Sequence, residues 1–299
     1  RFHKGAFFIA GKLGLEILPV IIHGAGHIVR KKTLSIYPGS AFLSIEKRIP
    51  VNNGSYGAGY SEQARAVRKI FSERYAEIRA ERENTAYFAD FLVDKYIYKD
   101  PVTEWYMRVK LKLEGNYEFF NSLIPRNSSV VDLGCGYGFL SYMLVLCSPG
   151  RKVTGVDYDR DKISVAKNIL IHKVDIRFEC ADTAAYELPV SDVFIMNDML
   201  HYMPEEKQVE LITGCMSRLN RNGMIIIRDA NKDLTDRHFY TKLSEVLSTK
   251  IKFNKTKYKT MFFVSRSLIQ ETAGNNGFSC DIHDRSRKTS NEIYILRKI

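Results

Sequence analysis

The chain has 299 residues, of which 45% are hydrophobic and 26% charged, and its formal net charge is +11. That length suits one large domain or two ordinary ones, and the composition excludes a disordered chain. No stretch approaches the apolar run that a membrane-spanning helix needs, and the five cysteines, scattered, odd in number and with no C-x-x-C pair, lack the closer or paired spacing of zinc sites and disulfide frameworks. They fit free thiols in a reducing compartment. The positive charge suits an anionic partner, a lipid surface or a nucleic acid, and does not choose between them. With Arg1 first, no initiator methionine and no signal peptide, the chain is expected to be a piece of a longer protein.

Residues 2–14 predict a short helix ending at Gly14, followed by a buried strand over ILPVIIHG (17–24), where Pro19 is tolerated only near an end or an edge. Short strands are expected at TLSIYPG (33–39) and FLSIEKRIPV (42–51), and a Gly-, Asn- and Ser-rich loop at 51–61. One helix is then expected over 61–96, capped by Ser61, with Val67, Ile70, Phe71, Tyr75 and Ile78 at helical spacing and KDP (99–101) ending it. A second helical stretch, TEWYMRVKLKLEGNYEFFNSLI, runs up to Pro125 and is placed to fold over a ligand as a lid.

From Ser129 the pattern alternates. SVVDL (129–133), KVTGVD (152–157), DIRFEC (175–180), SDVFIMND (191–198) and GMIIIRD (223–229) read as strands. Between and after them, FLSYMLVLC, DRDKISVAKNILIHK, EEKQVELITGCMSRL, TDRHFYTKLSEVLS (235–248) and SRSLIQETAGNNGF read as helices, the third closed off by Asn220 and Gly223. SCDIHD and NEIYILR suit a terminal β-hairpin. This order predicts an α/β fold with a parallel sheet and helices on both faces.

The loop after the first of these strands, VDLGCGYG (131–138), carries Gly134, Gly136 and Gly138. Glycines there let the backbone approach a ligand closely. The spacing is G-x-G-x-G rather than the dinucleotide G-x-G-x-x-G, with Phe at 139, and no G-K-[ST] follows for a P-loop. Asp132, two residues before the first glycine, would repel a pyrophosphate. It suits a ligand with an ammonium and a sulfonium, which S-adenosylmethionine has. Asp157 ends the second strand, where it can hold ribose hydroxyls, and Asp182 follows the third, where it can accept from the adenine amine. The plain alternative is that Asp157 and Asp182 only cap helices.

On these residues, 99–299 resemble a class I S-adenosylmethionine-dependent methyltransferase, with a Rossmann-like seven-stranded sheet, flanking helices and a C-terminal β-hairpin. VDLGCGYG matches the family's first motif, GVDYD (155–159) its acidic second motif, CADT (180–183) its third and FIMNDMLHYM (194–203) its fourth strand. The resemblance implies that Asp132, Gly134, Cys135, Gly136, Gly138, Asp157, Tyr158, Asp182, Thr183 and Asn197 bind the cofactor, Tyr158 against the adenine. Methyl transfer needs a general base only when the acceptor must lose a proton. Asn197, Asp198, His201 and Tyr202 lie just past the fourth strand, and His201 is the candidate base, with Tyr202 beside it; the alternative for His201 is packing at a helix start. The N-P-P-[FY] of adenine methylases is absent, which lowers nucleic acid as a substrate. A nucleic-acid or protein methyltransferase, or a non-catalytic cofactor-binding module, stays open at this point, and no metal is expected.

RFHKGAFFIAGKLGLEILPVIIHGAGHIV (1–29) resembles the tail of the glycerophospholipid acyltransferase family, whose catalytic H-x-x-x-x-D and F-P-E-G-T-R-S blocks lie upstream of the matched residues. Residues 1–98 are therefore expected to be a catalytically inert remnant of that domain, and 99–299 the methyltransferase domain. His23 and His27 straddle glycines and do not form a metal pair. The joined arrangement is similar to the C-terminal part of a bacterial trifunctional MMPL-type exporter, lysophospholipid acyltransferase and methyltransferase. That similarity implies lipid metabolism, a small-molecule or lipid-like acceptor with an apolar or aryl head, and tethering at the cytoplasmic side of a membrane, with GHIVRKK (26–32) facing anionic headgroups and the fragment itself soluble.

Overall fold

The computed structural model describes residues 3–29, 36, 39–51, 54–96, 101–113, 115–169, 171, 174–233, 260–285 and 290–299. The chain divides into two compact units, Arg1–Phe91 and Leu92–Ile299. The expected helix at 235–248 and most of the expected strand at 33–39 lie outside the described residues.

In the first unit, α1 (Gly5–Leu13) ends on Gly14, whose φ of 66° is left-handed, as the sequence suggested. Strands β1 (Val20–His23) and β2 (Phe42–Ile45) pair antiparallel, with Val20 opposite Ile45 and His23 opposite Phe42. Pro19 lies just before β1, where it costs no ladder bond between its residues. The short α2 (Ala25–Ile28) follows β1, and α3 (Tyr60–Arg82) closes the unit by packing Ala64 and Val67 on Phe7, Ala10, Ile49 and Val51. Three expectations are corrected here. The strand expected over 17–24 is not buried on both faces: β1 is limited to Val20–His23, and Val20 and Ile22 are exposed. Gly59, not Ser61, is the N-cap of α3, and the Glu62 carboxylate accepts the N–H groups of Ala58 and Gly59 at 3.0 and 3.3 Å. The helix also does not run unbroken to residue 96. It stops at Arg82, and the Asn84 side chain caps a new helix, α4 (Thr85–Tyr96), by accepting the Tyr87 N–H at 2.9 Å.

The second unit adds α5 (Pro101–Leu113) and α6 (Tyr117–Leu123), two helices where the sequence suggested one. Gly115 lies at the break, and its backbone freedom disfavours continuing the helix. The remaining elements are β3 (Ser129–Leu133), α7 (Phe139–Cys147), β4 (Lys152–Asp157), α8 (Arg160–Lys167), β5 (Asp175–Cys180), β6 (Ser191–Asn197), α9 (Glu205–Ser217), β7 (Leu219–Ala230), α10 (Arg266–Asn275), β8 (Phe278–His283) and β9 (Asn291–Lys298). Asn220 and Gly223 do not close α9, as its cap is Arg218; both lie inside β7.

These strands form one seven-stranded sheet in the order β5-β4-β3-β6-β7-β9-β8. The first five are parallel, whereas β9 runs antiparallel to β7 and β8 antiparallel to β9, so the sheet is mixed rather than wholly parallel. Strands β3, β4 and β6 are buried along nearly their whole length, which their Val-, Ile- and Phe-rich sequences permit because helices cover both faces. At the edge, β5 is half-exposed and carries Arg177 and Glu179, charges that discourage pairing with another chain. Arg151, only 1% exposed, ties α6 and α7 to the start of β4 by donating to the carbonyls of Pro125, Leu144, Asn121 and Ile124 and to Asn121 Oδ1. Burial lowers its pKa to about 10.

The chain progresses from β3 outward to β5, then crosses back to place β6 on the other side of β3. Ligands of open α/β sheets bind at the carboxyl ends of the strands at such a switch point. At the far end of β7, Asn231 bridges Val264 and the Lys232 N–H donates to Val264 O at 2.8 Å, so the chain returns beside the point where it left the sheet.

Candidate active site

Three left-handed glycines shape the loop between β3 and α7: Gly134 at φ 71°, Gly136 at 55° and Gly138 at 78°. Two of them are packed tightly. A Cβ on Gly134 would lie 2.7 Å from Met199 Cβ, and one on Gly138 would lie 2.6 Å from the Phe178 ring. Gly136 differs, because a Cβ there would meet nothing closer than Lys162 Cδ at 3.9 Å. The loop is therefore wedged onto the β6 side at Gly134 and onto β5 at Gly138, with its middle glycine open.

Backbone bonds hold the loop to β4. Gly134 and Cys135 both donate to Val156 O, at 2.8 and 3.1 Å, and the Gly136 N–H donates to Asp157 Oδ2 at 2.8 Å. The other Asp157 oxygen accepts the Asp159 N–H at 2.8 Å. Asp157 thus spans the loop and the turn after β4, while capping of α8 falls to Asp159, which accepts from the Asp161 and Lys162 N–H groups. From the opposite side the fully buried Tyr96 stacks on Phe139, ring centroids 4.3 Å apart, and donates its hydroxyl to Tyr137 O at 2.7 Å.

Asp132 is buried beneath the loop and accepts from the Ser141 hydroxyl at 2.5 Å. Cys135 is fixed beside it; burial, with the Asp132 and Asp157 carboxylates, pushes its thiol well up, so it stays protonated. Tyr158 is partly exposed at the turn after β4, and Cys180 donates weakly to its carbonyl. Asp182 lies past the end of β5, where it accepts the Ala184 N–H at 3.2 Å, and the neighbouring Thr183 is buried. Asn197 ends β6, with Arg228 Nη1 3.5 Å from its Oδ1. All of these sit at or just beyond the carboxyl ends of adjacent parallel strands.

After β6 the chain turns through Asp198, the one non-glycine residue with a left-handed φ (55°) among those described. An ion pair with Arg228, a bond from Asn291 to Asp198 Oδ1 at 3.3 Å and the Asp198 N–H on Arg228 O hold it there. The 3-10 turn Leu200–Tyr202 follows. His201 is 2% exposed, and its Nδ1 lies 2.5 Å from Oδ1 of Asp229, a carboxylate with no exposed surface. Asp229 also accepts N–H bonds from Leu200 and Ala230 at 2.8 Å and from His201 at 3.4 Å. Tyr202 is half-buried, its ring 4.1 Å from that of His201. Sequence reasoning missed Asp229, Arg228 and Asn291. Asp229 had a signal available, since it ends a parallel strand as Asp157 does.

The family profile of a methyltransferase domain matches residues 124–274, half of the chain. The chain belongs to the methyltransferase domain family. The cofactor that comes with this membership is S-adenosylmethionine, and the edge of the sheet fits it: an open middle glycine, its N–H on the Asp157 carboxylate, flanked by two glycines that admit no side chain. The methyltransferase is 28% identical over 125 residues to carboxy-S-adenosyl-L-methionine synthase of Campylobacter jejuni subsp. doylei, covering 42% of this chain and 52% of that one. It is 39% identical over 75 residues to trans-aconitate 2-methyltransferase of Rhizobium meliloti, covering 25% and 28%. The chain thus spans about half or less of the length of these curated relatives. Among solved structures, the pyocyanin biosynthetic protein PhzM superposes with a TM-score of 0.52 at 14% identity, covering 72% of this chain and 62% of that one. The S-adenosylmethionine-dependent methyltransferase SibL superposes at 0.51 and 14%, covering 69% and 62%. At these identities the likeness is one of fold. Among the described residues no cluster of metal-ligating side chains occurs, and no helix is long and apolar enough to cross a membrane.

Proposed function

We propose that this methyltransferase methylates a hydroxyl group of a small or lipid-like acceptor, with His201 as general base and Asp229 as its positioning residue. The observation that carries the reading is the contact of 2.5 Å between His201 Nδ1 and the fully buried Asp229 carboxylate. A carboxylate on Nδ1 fixes the imidazole orientation and stabilises its protonated form, so exchange of a proton with an acceptor falls to Nε2. Tyr202, packed on the His201 ring, would wall the acceptor side.

Bound S-adenosylmethionine supplies an electrophilic methyl on a sulfonium. The chain's own task is then to hold the two partners in line and keep water out. In this reading the loop Gly134, Cys135, Gly136 and Gly138 gives the cofactor a close backbone surface, and Asp132 offsets its ammonium. Asp157 accepts from the ribose hydroxyls, Tyr158 lies against the adenine, Asp182 and Thr183 meet the adenine edge, and Asn197 shapes the pocket beside the reacting centre. Residues 1–98 are read as the C-terminal part of an acyltransferase domain, inert without its upstream blocks. Support for this is the K-G-A-F-x-I-A and I-L-P-V-x-I-x-G pattern alone. It would make the acceptor an acyl or aryl-headed lipid, methylated at the cytoplasmic side of a membrane.

The test is incubation of the chain with methyl-labelled S-adenosylmethionine and, separately, a lipid extract and total RNA. Label in a lipid or small hydroxyl compound is expected. His201→Gln should lower turnover by about 10²–10⁴-fold at unchanged cofactor affinity, with a defect that shrinks as pH rises toward the acceptor's own pKa. Label in RNA alone, or full turnover in the variant, overturns the proposal.

A further inference from the structure

The first unit holds a second concavity, remote in sequence from the methyltransferase residues. His23, Ser40, Phe42, Arg82, Asn84 and Tyr87 line it, with Glu81 at its exposed rim, and it encloses about 470 Å³. His23 is 2% exposed, yet neither ring nitrogen has a hydrogen-bond partner. A buried imidazole left in that condition is costly, because its polar atoms have lost water and gained nothing. The ring is clamped by aromatic neighbours, stacked on Tyr87 at 5.3 Å and edge-on to Tyr75 at 5.7 Å, so it cannot swing out to find a partner.

Two arginines flank it and differ in one respect. Arg79 is committed: its Nε and Nη2 hold the buried Glu83 carboxylate at 2.7–2.9 Å, and Glu83 Oε1 lies 3.9 Å from His23 Nε2, beyond hydrogen-bond range. Arg82 is uncommitted. Its guanidinium lies 3.8 Å over the Phe42 ring, and among the described residues no carboxylate pairs with it. A guanidinium stacked this way keeps its N–H edge available in the plane, the arrangement that receives an oxyanion in a bidentate fashion. Gly24, at φ 87°, permits the close wall: a Cβ there would lie 2.4 Å from Ser40 O.

We propose that this cavity binds a small tetrahedral oxyanion, the phosphate- or sulfate-like group of an anionic ligand, received by the Arg82 fork and by an N–H of the His23 imidazole. The charged and titratable groups facing His23 are Glu83, Arg79, Arg82, Tyr75 and Tyr87. Burial, together with the two arginines, keeps the free imidazole below its usual range, against the pull of Glu83. An oxyanion in the cavity adds a second negative neighbour and favours protonation, so binding takes up a proton and tightens as pH falls. Tyr87, pushed up to about 12 mainly by burial, remains a neutral hydroxyl throughout.

The test is titration of the full 299-residue chain with sulfate, whose charge is constant across neutral pH, followed through the His23 ring resonances by NMR. Saturable shifts are expected, stronger at about pH 6 than at pH 8, at least tenfold weaker in Arg82→Gln and tighter in Glu81→Gln, which removes the opposing rim charge. Both substitutions are at exposed positions, so folding is retained. Absence of saturation in the folded chain, or an Arg82→Gln titration identical to the parent's, overturns the proposal. Inorganic phosphate and phosphatidate-containing vesicles separate the sources. Vesicle retention abolished by Arg82→Gln assigns a lipid headgroup, and phosphate binding without vesicle retention assigns a free anion.

Discussion

Adding one methyl group at each of two loop glycines separates packing from ligand binding. Gly136→Ala places a side chain at φ 55°, which costs about 1–2 kcal/mol for an L-residue in the left-handed region, and meets no atom closer than 3.9 Å. Gly134→Ala incurs the same backbone cost at φ 71° and adds a collision at 2.7 Å with Met199 Cβ, an overpacking cost of about 1–3 kcal/mol. The stability losses are thus about 1–2 against about 2–5 kcal/mol. Thermal unfolding followed by circular dichroism should rank Gly134→Ala below Gly136→Ala. Cofactor binding should rank them oppositely once each is compared as folded protein. In the proposed reading the cofactor approaches the backbone at Gly136, so the added methyl should weaken S-adenosylmethionine at least tenfold, about 1.4 kcal/mol, by calorimetry. A Gly136→Ala chain that binds as tightly as the parent would refute the reasoning that this glycine is kept for a ligand.

Arg151→Met keeps the length of the side chain but leaves several buried carbonyls around Asn121, Ile124, Pro125 and Leu144 without a donor. A loss of about 3–5 kcal/mol is expected in denaturant unfolding, and a loss under about 1 kcal/mol would mean that water takes the arginine's place. For the first unit, the His23 pKa is lowered in the fold, chiefly by burial, so below the ordinary value of 6.5 the unfolded chain binds the extra proton first. Stability of that unit should therefore fall as pH drops from 6.5 toward the lowered folded value and be flat above it. A His23→Gln chain should show a shallower acid limb in the same urea titrations, and an unchanged limb would assign the effect to other groups.

Most of the second unit was legible because its strands are short, β-branched and separated by helices with clear periodicity. SVVDL, FLSYMLVLC, KVTGVD and DIRFEC have the limits that the sequence suggests. The errors share a cause. Asn84 and Gly115 interrupt helical stretches without disturbing the apolar spacing on either side, so periodicity alone runs through them. Asn220 and Gly223 look like a helix stop, yet they lie inside β7, at the irregularity between the pairs Ser191–Leu219 and Val193–Met224. The candidate site was legible wherever its chemistry lies in one contiguous motif, as in VDLGCGYG. It was opaque where two distant segments supply it: Asp229 reaches His201 across 28 positions, and Asn291 reaches Asp198 across 93. Only the strand order brings those pairs together.

The bridge between Asn231 and Val264 has a consequence for how such an enzyme can be altered. The chain leaves and re-enters the sheet at neighbouring points, and the re-entry is fastened by the Phe262 N–H on His201 O and by Gln208 Nε2 on the carbonyls of Phe262, Met203 and Leu200. Asn231, Lys232, Phe262 and Val264 are therefore fastened to one another, to the turn after β6 and to α9. A change at Gln208 or Phe262 that loosens this anchorage thus acts one hydrogen bond from His201, while the glycine loop is held separately by Val156 and Asp157. The His201 turn is anchored through Asp229 of β7 and the glycine loop through Val156 and Asp157 of β4, two different strands of a single sheet.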